Sequence, residues 1–340
     1  MTSRGKLLVR GSINIDEFFV VDHIVKVGET ISSKEYSRRA GGKGANQAVS
    51  AAKAGATVEL AATLGNDGAW LKETLASYGV SQSLLAVDGT LPTGRAVIQL
   101  SHRTADNSIV LLPGSNFSSL PSPFSQLSPS DLSSSFSHLL LQNEIPFEST
   151  QQALREAHQA GLVTIFNPSP MLTKEQLEGF EWDELDWLII NEGEGEELVK
   201  VLAPNAANAE GILRSLREKL KGLTGIIMTM GSQGVQADLK DGKRIVSVGA
   251  GKVEEGGVKD TTGAGDCFTG YFATLLSTLP RGSSPLKENK LEEILKISCQ
   301  AAAMCCEKPG AMESVPTLAE VKERLGSNWI AGQEWDALLV

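Results

Sequence analysis

The chain has 340 residues, 41% of them hydrophobic and 21% charged, with a net charge of −10. That balance excludes a disordered or membrane-spanning chain, and its acidity argues against nucleic acid as a partner, since phosphate backbones are repelled. Four cysteines, Cys267, Cys299, Cys305 and Cys306, form no CxxC pair and lie in apolar sequence, so neither a disulfide framework nor a zinc site is expected. Met1 to Arg10 holds no apolar stretch of signal-peptide kind and nothing approaches a membrane span. A cytoplasmic protein is expected, with the nucleus left open to a chain without a signal.

The first strand-like run is Leu7–Arg10. It leads into Gly11-Ser12-Ile13-Asn14-Ile15-Asp16, where Asn14 and Asp16 alternate onto one face of an extended segment. Asp16 can accept two hydroxyl hydrogen bonds from a vicinal diol, although an ordinary strand-end turn is the simpler reading. Phe18–Ala40 and, later, Gly94–Leu112 alternate polar and apolar residues without a helix, as half-solvated antiparallel strands do. They are expected to pair into a small lid standing off the main body. Between them lies Gly41-Gly42-Lys43-Gly44-Ala45-Asn46-Gln47-Ala48, followed by the small-residue helix Val49–Ala54 in a helix candidate near Ala45–Lys53, then a strand at Val58–Thr63 and a helix at Trp70–Tyr78. Adjacent glycines permit close backbone approach, and Lys43 and Asn46 offer donors and an acceptor to hydroxyl groups. A tight turn with a helix start also accounts for this loop. It is neither a Walker A loop nor the dinucleotide fingerprint.

Ser115–Ser137, rich in Ser, Pro and Phe, reads as a surface loop leading to a short helix near Leu132. Strand-like runs at Leu139–Gln142, Leu162–Phe166, Trp187–Ile190 and Ile226–Thr229 then alternate with helices at Thr150–Gln159 and Ile212–Leu220, the βαβ rhythm of a parallel sheet. Ligands of such sheets sit at the carboxyl ends of strands. Glu144 follows one such end. Asn191-Glu192-Gly193-Glu194 follows another, where Glu194 can hold Mg²⁺ through water or simply belong to an acidic first helical turn. Thr229-Met230-Gly231-Ser232-Gln233-Gly234 reads either as flanking a nucleotide or as a hairpin turn.

The tail is mostly helical, with segments Ala264–Leu279, Leu291–Cys306 and Leu318–Leu325. It opens on Asp260-Thr261-Thr262-Gly263-Ala264-Gly265-Asp266. Glycines at a helix start leave amides unpaired, and with the helix dipole these form an anion hole suited to a transferring phosphoryl group. A carboxylate beside an anion hole repels its ligand, which makes sense if Asp266 accepts the proton of an attacking hydroxyl. The alternative is that Asp266 is a helix N-cap. Asp260 adds a carboxylate able to hold a cation near phosphates. His23, His102, His138 and His158 lie outside these clusters, which removes the usual base of a Ser-His-Asp or Cys-His hydrolase. Cys267 reads as a packed helix residue or as a thiol with a lowered pKa at a helix start.

Taken together, Gly41–Ala48 and Asp260–Asp266 resemble the two signatures of the ribokinase family of carbohydrate kinases, in the family's order, and the resemblance runs from Leu7 to about Leu325. Gly11–Asp16, Gly28-Glu29-Thr30 and the whole of Gly41–Ala48 are more similar to its ribose-specific members than to adenosine kinases or fructokinases. The resemblance implies one domain over 1–340, a mostly parallel central sheet flanked by helices, with a small β lid at 14–40 and 94–112 that often mediates dimers. A homodimer through that lid is therefore expected. The implied activity is ATP-dependent phosphorylation of the ribose 5-hydroxyl, with Asp266 as base and the Gly263, Ala264 and Gly265 amides at the phosphoryl group. Asn14, Asp16, Gly42, Lys43, Asn46 and Glu144 would bind the sugar. Asn191 and Glu194 would match an Asn-x-x-Glu element tied to Mg²⁺ and phosphate, with Thr229, Gly231, Gly234 and Gly265 bordering the nucleotide. K⁺ would sit against Asp260, Thr262, Cys305, Lys308, Gly310 and Ser314, several through backbone carbonyls. Gly310–Pro316 matches the family there, and Glu307-Lys308-Pro309 departs from it.

Alternatives remain at this point. Another pentose, deoxyribose or a nucleoside is the alternative acceptor, although a nucleoside needs an aromatic or apolar platform near Thr93-Gly94-Arg95 and only 5% of residues are aromatic. A non-catalytic sugar-binding relative would be expected to lose the base or the glycines, and both are intact. A nicotinamide-dependent dehydrogenase fails for want of a glycine fingerprint after the first strand.

Overall fold

The computed structural model describes residues 6–104, 106–121, 123–203, 209–279 and 286–326. Leu7–Arg10 (β1) is buried throughout, and its alternate side chains serve two cores: Leu7 and Val9 pack in one apolar cluster, Leu8 in the other. A strand buried on both faces needs helices on both. The chain continues through β2 (Asn14–Val21), β3 (Glu35–Gly41), α1 (Lys43–Lys53), β4 (Val58–Gly65), α2 (Ala69–Ser77), β5 (Val80–Ser81) and β6 (Leu85–Asp88). Next come β7 (Gly94–Ser101), β8 (Asn107–Leu112), α3 (Pro129–Ser135), β9 (His138–Gln142), α4 (Phe147–Gln159) and β10 (Val163–Asn167). α5 (Lys174–Glu178), β11 (Trp187–Asn191), α6 (Glu192–Leu202), α7 (Ala209–Lys219), β12 (Gly225–Thr229), β13 (Val235–Leu239) and β14 (Val246–Val248) follow. Helices α8 (Ala264–Ser277), α9 (Glu288–Cys305) and α10 (Leu318–Leu325) end the described chain.

Among the described residues, ten strands form one sheet in the order β14-β13-β12-β11-β10-β9-β1-β4-β5, with β6 also pairing β4. Pairing is parallel except around β13, which runs against both β12 and β14. The chain winds from β1 to β4 on one side and returns to β9 on the other. The carboxyl ends of β1 and β9 thus border the switch point where open α/β sheets bind ligands. α1 and α8 pack closely beneath that edge: a Cβ on Gly270 would stand 2.5 Å from the Ser50 side chain.

Every expected strand and helix is present with boundaries shifted by a few residues. The short strands β5, β6, β13 and β14 were not anticipated. β13 carries the plain alternation of one buried and one half-buried residue, from Val235 to Leu239. In the Ser-rich stretch, α3 is opened by a capping box between Ser128 and Asp131 and buries Leu132.

The second sheet has the order β3-β2-β7-β8. β2 pairs antiparallel with β3, and β7 with β8, but β2 and β7 run parallel, which corrects the all-antiparallel expectation. The reason is the path of the chain. β7 begins only after the chain has crossed the main sheet through β4 and β6, and so enters the small sheet in the same direction as β2. This register sets Asn14 opposite Gly94, and Asp16 between Arg39 and Ala96. Among the described residues, no helix is long and apolar enough to cross a membrane.

Candidate active site

Two glycines bring the small sheet onto the start of α1. A Cβ on Gly41 would lie 2.0 Å from Asp16 Oδ2, and one on Gly42, whose φ is +89°, would lie 2.8 Å from the Asn14 nitrogen. No side chain fits at either position without moving those groups. The start of α1 is held by Glu144, whose Oε2 accepts from the Lys43 N–H at 2.9 Å and from the Ser12 hydroxyl at 2.5 Å. An anionic group is well placed at a helix N-terminus. Asn14 Oδ1 accepts from Asn116 Nδ2 at 2.7 Å, and Asn116 Oδ1 accepts from the Ile13 N–H at 2.9 Å, so Asn14 has a fixed orientation.

Charge in this corner is crowded. Burial, with the neighbouring charges of Glu144, Asp266 and Glu313, pushes the Asp16 carboxyl up to about 7. Burial likewise raises Glu144. Lys43 is the counter-charge: chiefly Asp266, and then Glu144 and Glu194, raise its ammonium above the usual value despite its burial.

Asp266 is 8% exposed and lies in the first turn of α8. It is not the N-cap. That position belongs to Gly263 in the left-handed conformation, φ 77°. The Asp266 carboxylate instead meets α1: Oδ2 accepts from Asn46 Nδ2 at 3.0 Å and Oδ1 from Gln47 Nε2 at 2.9 Å. Of the three expected anion-hole amides, that of Ala264 donates to the Thr261 carbonyl at 3.2 Å. A Cβ on Gly265 would meet nothing within 4 Å, so packing does not demand that glycine and open space lies before it. Cys267 is fully buried, and burial with its neighbour Cys305 raises its thiol pKa; it is a packing residue rather than an activated thiol.

Lys43, Asn191, Glu194, Thr229, Gly263, Gly265 and Asp266 line one cleft at the carboxyl edge of the main sheet. Asn191 and Glu194 form a reciprocal capping box at the start of α6, with both hydrogen bonds at 2.8 Å, and burial raises the Glu194 carboxyl. The turn after β12 is the hairpin to β13. Gly234, at φ +92°, is required there, since a Cβ would lie 2.1 Å from the Val248 carbonyl, whereas Gly231 faces open space. Neither glycine lines the cleft.

Two of the expected cation residues, Thr262 and Gly310, bond Asp260. Its carboxylate accepts the N–H groups of Thr262 and Gly310, each at 2.9 Å, clasping the loop before α8 to the loop after α9. Burial opposes it, yet these hydrogen bonds hold the Asp260 carboxyl below the usual range. The Ser314 hydroxyl donates to the Gly310 carbonyl and sits 2.9 Å from the Cys305 thiol, so three of the expected ligands already engage one another. The Lys308 ammonium pairs with Glu320 at 3.9 Å. No group of three or more His, Cys, Asp or Glu able to hold a metal occurs among the described residues.

Sequence reasoning assigned no role to Gln47 and Gln142, which lie behind Asp266, to Asn167, which lines the cleft with it, nor to Ser12 and Asn116, which hold Glu144 and Asn14. The signal was available for two of them: Gln142 and Asn167 are polar residues ending otherwise apolar buried strands.

A mostly parallel α/β sheet with an attached small sheet, and a carboxylate at a glycine-opened helix start bonded to a second glycine-opened helix, suit a phosphotransferase. Residues 4–318 match the pfkB family carbohydrate kinases, and the chain belongs to that family. Ribokinase of Haemophilus influenzae is 33% identical over 326 residues, covering 95% of this chain and 99% of that one. Ribokinase from Cryptococcus neoformans, solved in complex with ADP, superposes with a TM-score of 0.81 at 44% identity over 95% of this chain and 100% of that one. Arabidopsis thaliana ribokinase complexed with ribose and ATP gives 0.79 at 30% identity, covering 95% and 99%.

Proposed function

We propose that this sugar kinase transfers the γ-phosphoryl group of ATP to the 5-hydroxyl of D-ribose. The observation that carries the reading is the hydrogen bond from Asn46, near the start of α1, to Asp266 in the first turn of α8, with Lys43 and Asp266 lining one cleft. Ribose and ATP are bound by the Arabidopsis relative, whose chain this one matches almost end to end. Asn14, Asp16, Lys43 and Asn46 hold the sugar, with Gly42 giving it room and Glu144 bracing the loop. Asp266 takes the proton of the attacking hydroxyl. The amides at Gly263, Ala264 and Gly265 receive the developing phosphoryl charge, once the Ala264 amide leaves Thr261.

Asn191 and Thr229 border the nucleotide, with Gly231 and Gly234 shaping the hairpin beside it. Glu194, which lines the cleft, would reach an ion carried by the nucleotide phosphates through water. Mg²⁺ bound there would neutralise phosphate charge. The Asp260 clasp supports a K⁺ site formed by Thr262, Cys305, Lys308, Gly310 and Ser314, largely through carbonyls. Of Thr93-Gly94-Arg95, only Gly94 touches a sugar residue, since a Cβ there would lie 2.3 Å from Asn14 Oδ1; Arg95 instead pairs with Glu17 and Asp67.

In this reading the chain is one domain with its small sheet as a lid, and β8 is the lid's outer edge. Its residues Ile109 to Leu112 are exposed and apolar, which favours a second copy of the chain as their partner. Four free thiols accord with a reducing compartment such as the cytoplasm. ADP release across a panel of pentoses, deoxyribose, hexoses and nucleosides tests the substrate: ribose should give the highest kcat/KM, and preference for another acceptor contradicts the assignment. Sedimentation equilibrium tests the dimer.

A further inference from the structure

We propose that Gln47 is a positioning residue for Asp266, fixing its carboxylate through an amide relay that begins at the Ile189 carbonyl. The inference rests on Asp266 being the base. The Ile189 carbonyl can only accept, so the Asn167 amide must turn its Nδ2 toward it, at 2.9 Å. Asn167 Oδ1 therefore faces Gln47, which must present Nε2. That nitrogen donates to Asn167 Oδ1 at 3.0 Å and to Asp266 Oδ1 at 2.9 Å. Gln47 Oε1 is then left facing Gln142 Nε2, which donates to it at 2.6 Å. Each amide orientation follows from a backbone carbonyl, so the network admits one arrangement.

Gln47 and Gln142 are fully buried and Asn167 is 9% exposed, so Gln47 does not reach substrate. Its action is on Asp266 Oδ1, which it turns to the interior, while Oδ2 is shared with Asn46 at the cleft. The packing of α1 on α8 permits the reach, since even a methyl group on Gly270 would come within 2.7 Å of the Gln47 carbonyl. Three amides buried where leucines would pack more cheaply are explained by a carboxylate oxygen that must have a donor and a fixed plane.

The test measures kcat together with separate ribose and ATP dissociation constants. Gln47→Leu should lower kcat by about 10- to 100-fold, the cost of a misaligned group, with both dissociation constants within about threefold of wild type. In an Asp266→Asn background the same change should alter residual turnover by less than about twofold, because the group being positioned is gone. An equal loss in both backgrounds means a structural role and overturns the inference. Gln142→Leu, which spares both Gln47 donors, should cost about 3- to 10-fold in kcat and carries the test if Gln47→Leu does not fold. Wild-type kcat in either folded single variant, with Asp266→Asn inactive, overturns the relay alone. An active Asp266→Asn overturns the base and the relay together.

Discussion

Asn46 donates to Asp266 Oδ2 at 3.0 Å across 220 positions of sequence, while the amide oxygen of Asn46 is buried without a partner among the described residues. A buried acceptor without a donor is costly unless a ligand supplies one. A sugar hydroxyl placed there would bond Asn46 and stand beside the Asp266 carboxylate at once. Asn46→Ala should therefore lower kcat/KM for ribose by about 10- to 100-fold, through both kcat and KM, the size of a lost hydrogen bond to a charged group. ATP affinity, measured by titration, should not change. An effect on KM alone would mean that Asn46 reads the sugar without serving the transfer.

Gly41→Ala places a methyl 2.0 Å from Asp16 Oδ2, and one of the two must move. If Asp16 accepts sugar hydroxyls, a carboxylate displaced by the methyl should raise the sugar KM by about tenfold or more. The thermal midpoint and the ATP dissociation constant report whether the damage stays local. An unchanged sugar KM would remove Asp16 from the sugar site.

The Asp16 carboxyl, pushed up to about 7 by burial and its acidic neighbours, gives a pH dependence with a definite sign. To accept two hydroxyls it must be ionised, so the sugar KM should rise as pH falls through about 7, and Asp16→Asn should flatten that limb. Stability of the ligand-free protein follows the opposite sense. A carboxyl whose folded pKa is raised contributes most below its ordinary value and loses that contribution as pH rises toward 7. Glu144, Asp266, Glu313 and Lys43 share the corner, so the comparison with Asp16→Asn isolates the group. A sugar KM flat from pH 6 to 8 in wild type would contradict the assignment.

Gly231 and Gly234 separate backbone conformation from packing in one turn. Both have positive φ, at 55° and 92°, but only a Cβ on Gly234 strikes a backbone carbonyl. Gly231→Ala should cost about 1 kcal/mol, and Gly234→Ala about 3 kcal/mol or more, in urea unfolding. Equal costs would mean that the hairpin adapts to the added methyl.

Much of this was legible because it depends on neighbours in sequence. Apolar runs located the main strands, and Lys43 and Asn46 stood out inside one loop. Whether Asp266 capped its own helix or faced another was not legible, because either role puts an acidic residue in the first turn. The decision lay in the left-handed Gly263, which occupies the cap, and in partners on α1. The Gln47 relay was hidden for a related reason: Gln142 and Asn167 end different strands, and only the β9–β10 pairing sets them side by side. Parallel pairing of β2 with β7 likewise depends on the path between them, which alternation does not record.

The central claim is that Asp266 carries the chemistry rather than the binding. It is tested most directly by comparing wild type with Asp266→Asn for turnover under saturating ribose and ATP, with both dissociation constants measured calorimetrically on the same samples. The structure predicts binding within about threefold of wild type and turnover lower by about 10²- to 10⁴-fold, the range of a lost general base. Turnover within about tenfold of wild type, with binding intact, would place the base elsewhere and contradict the claim.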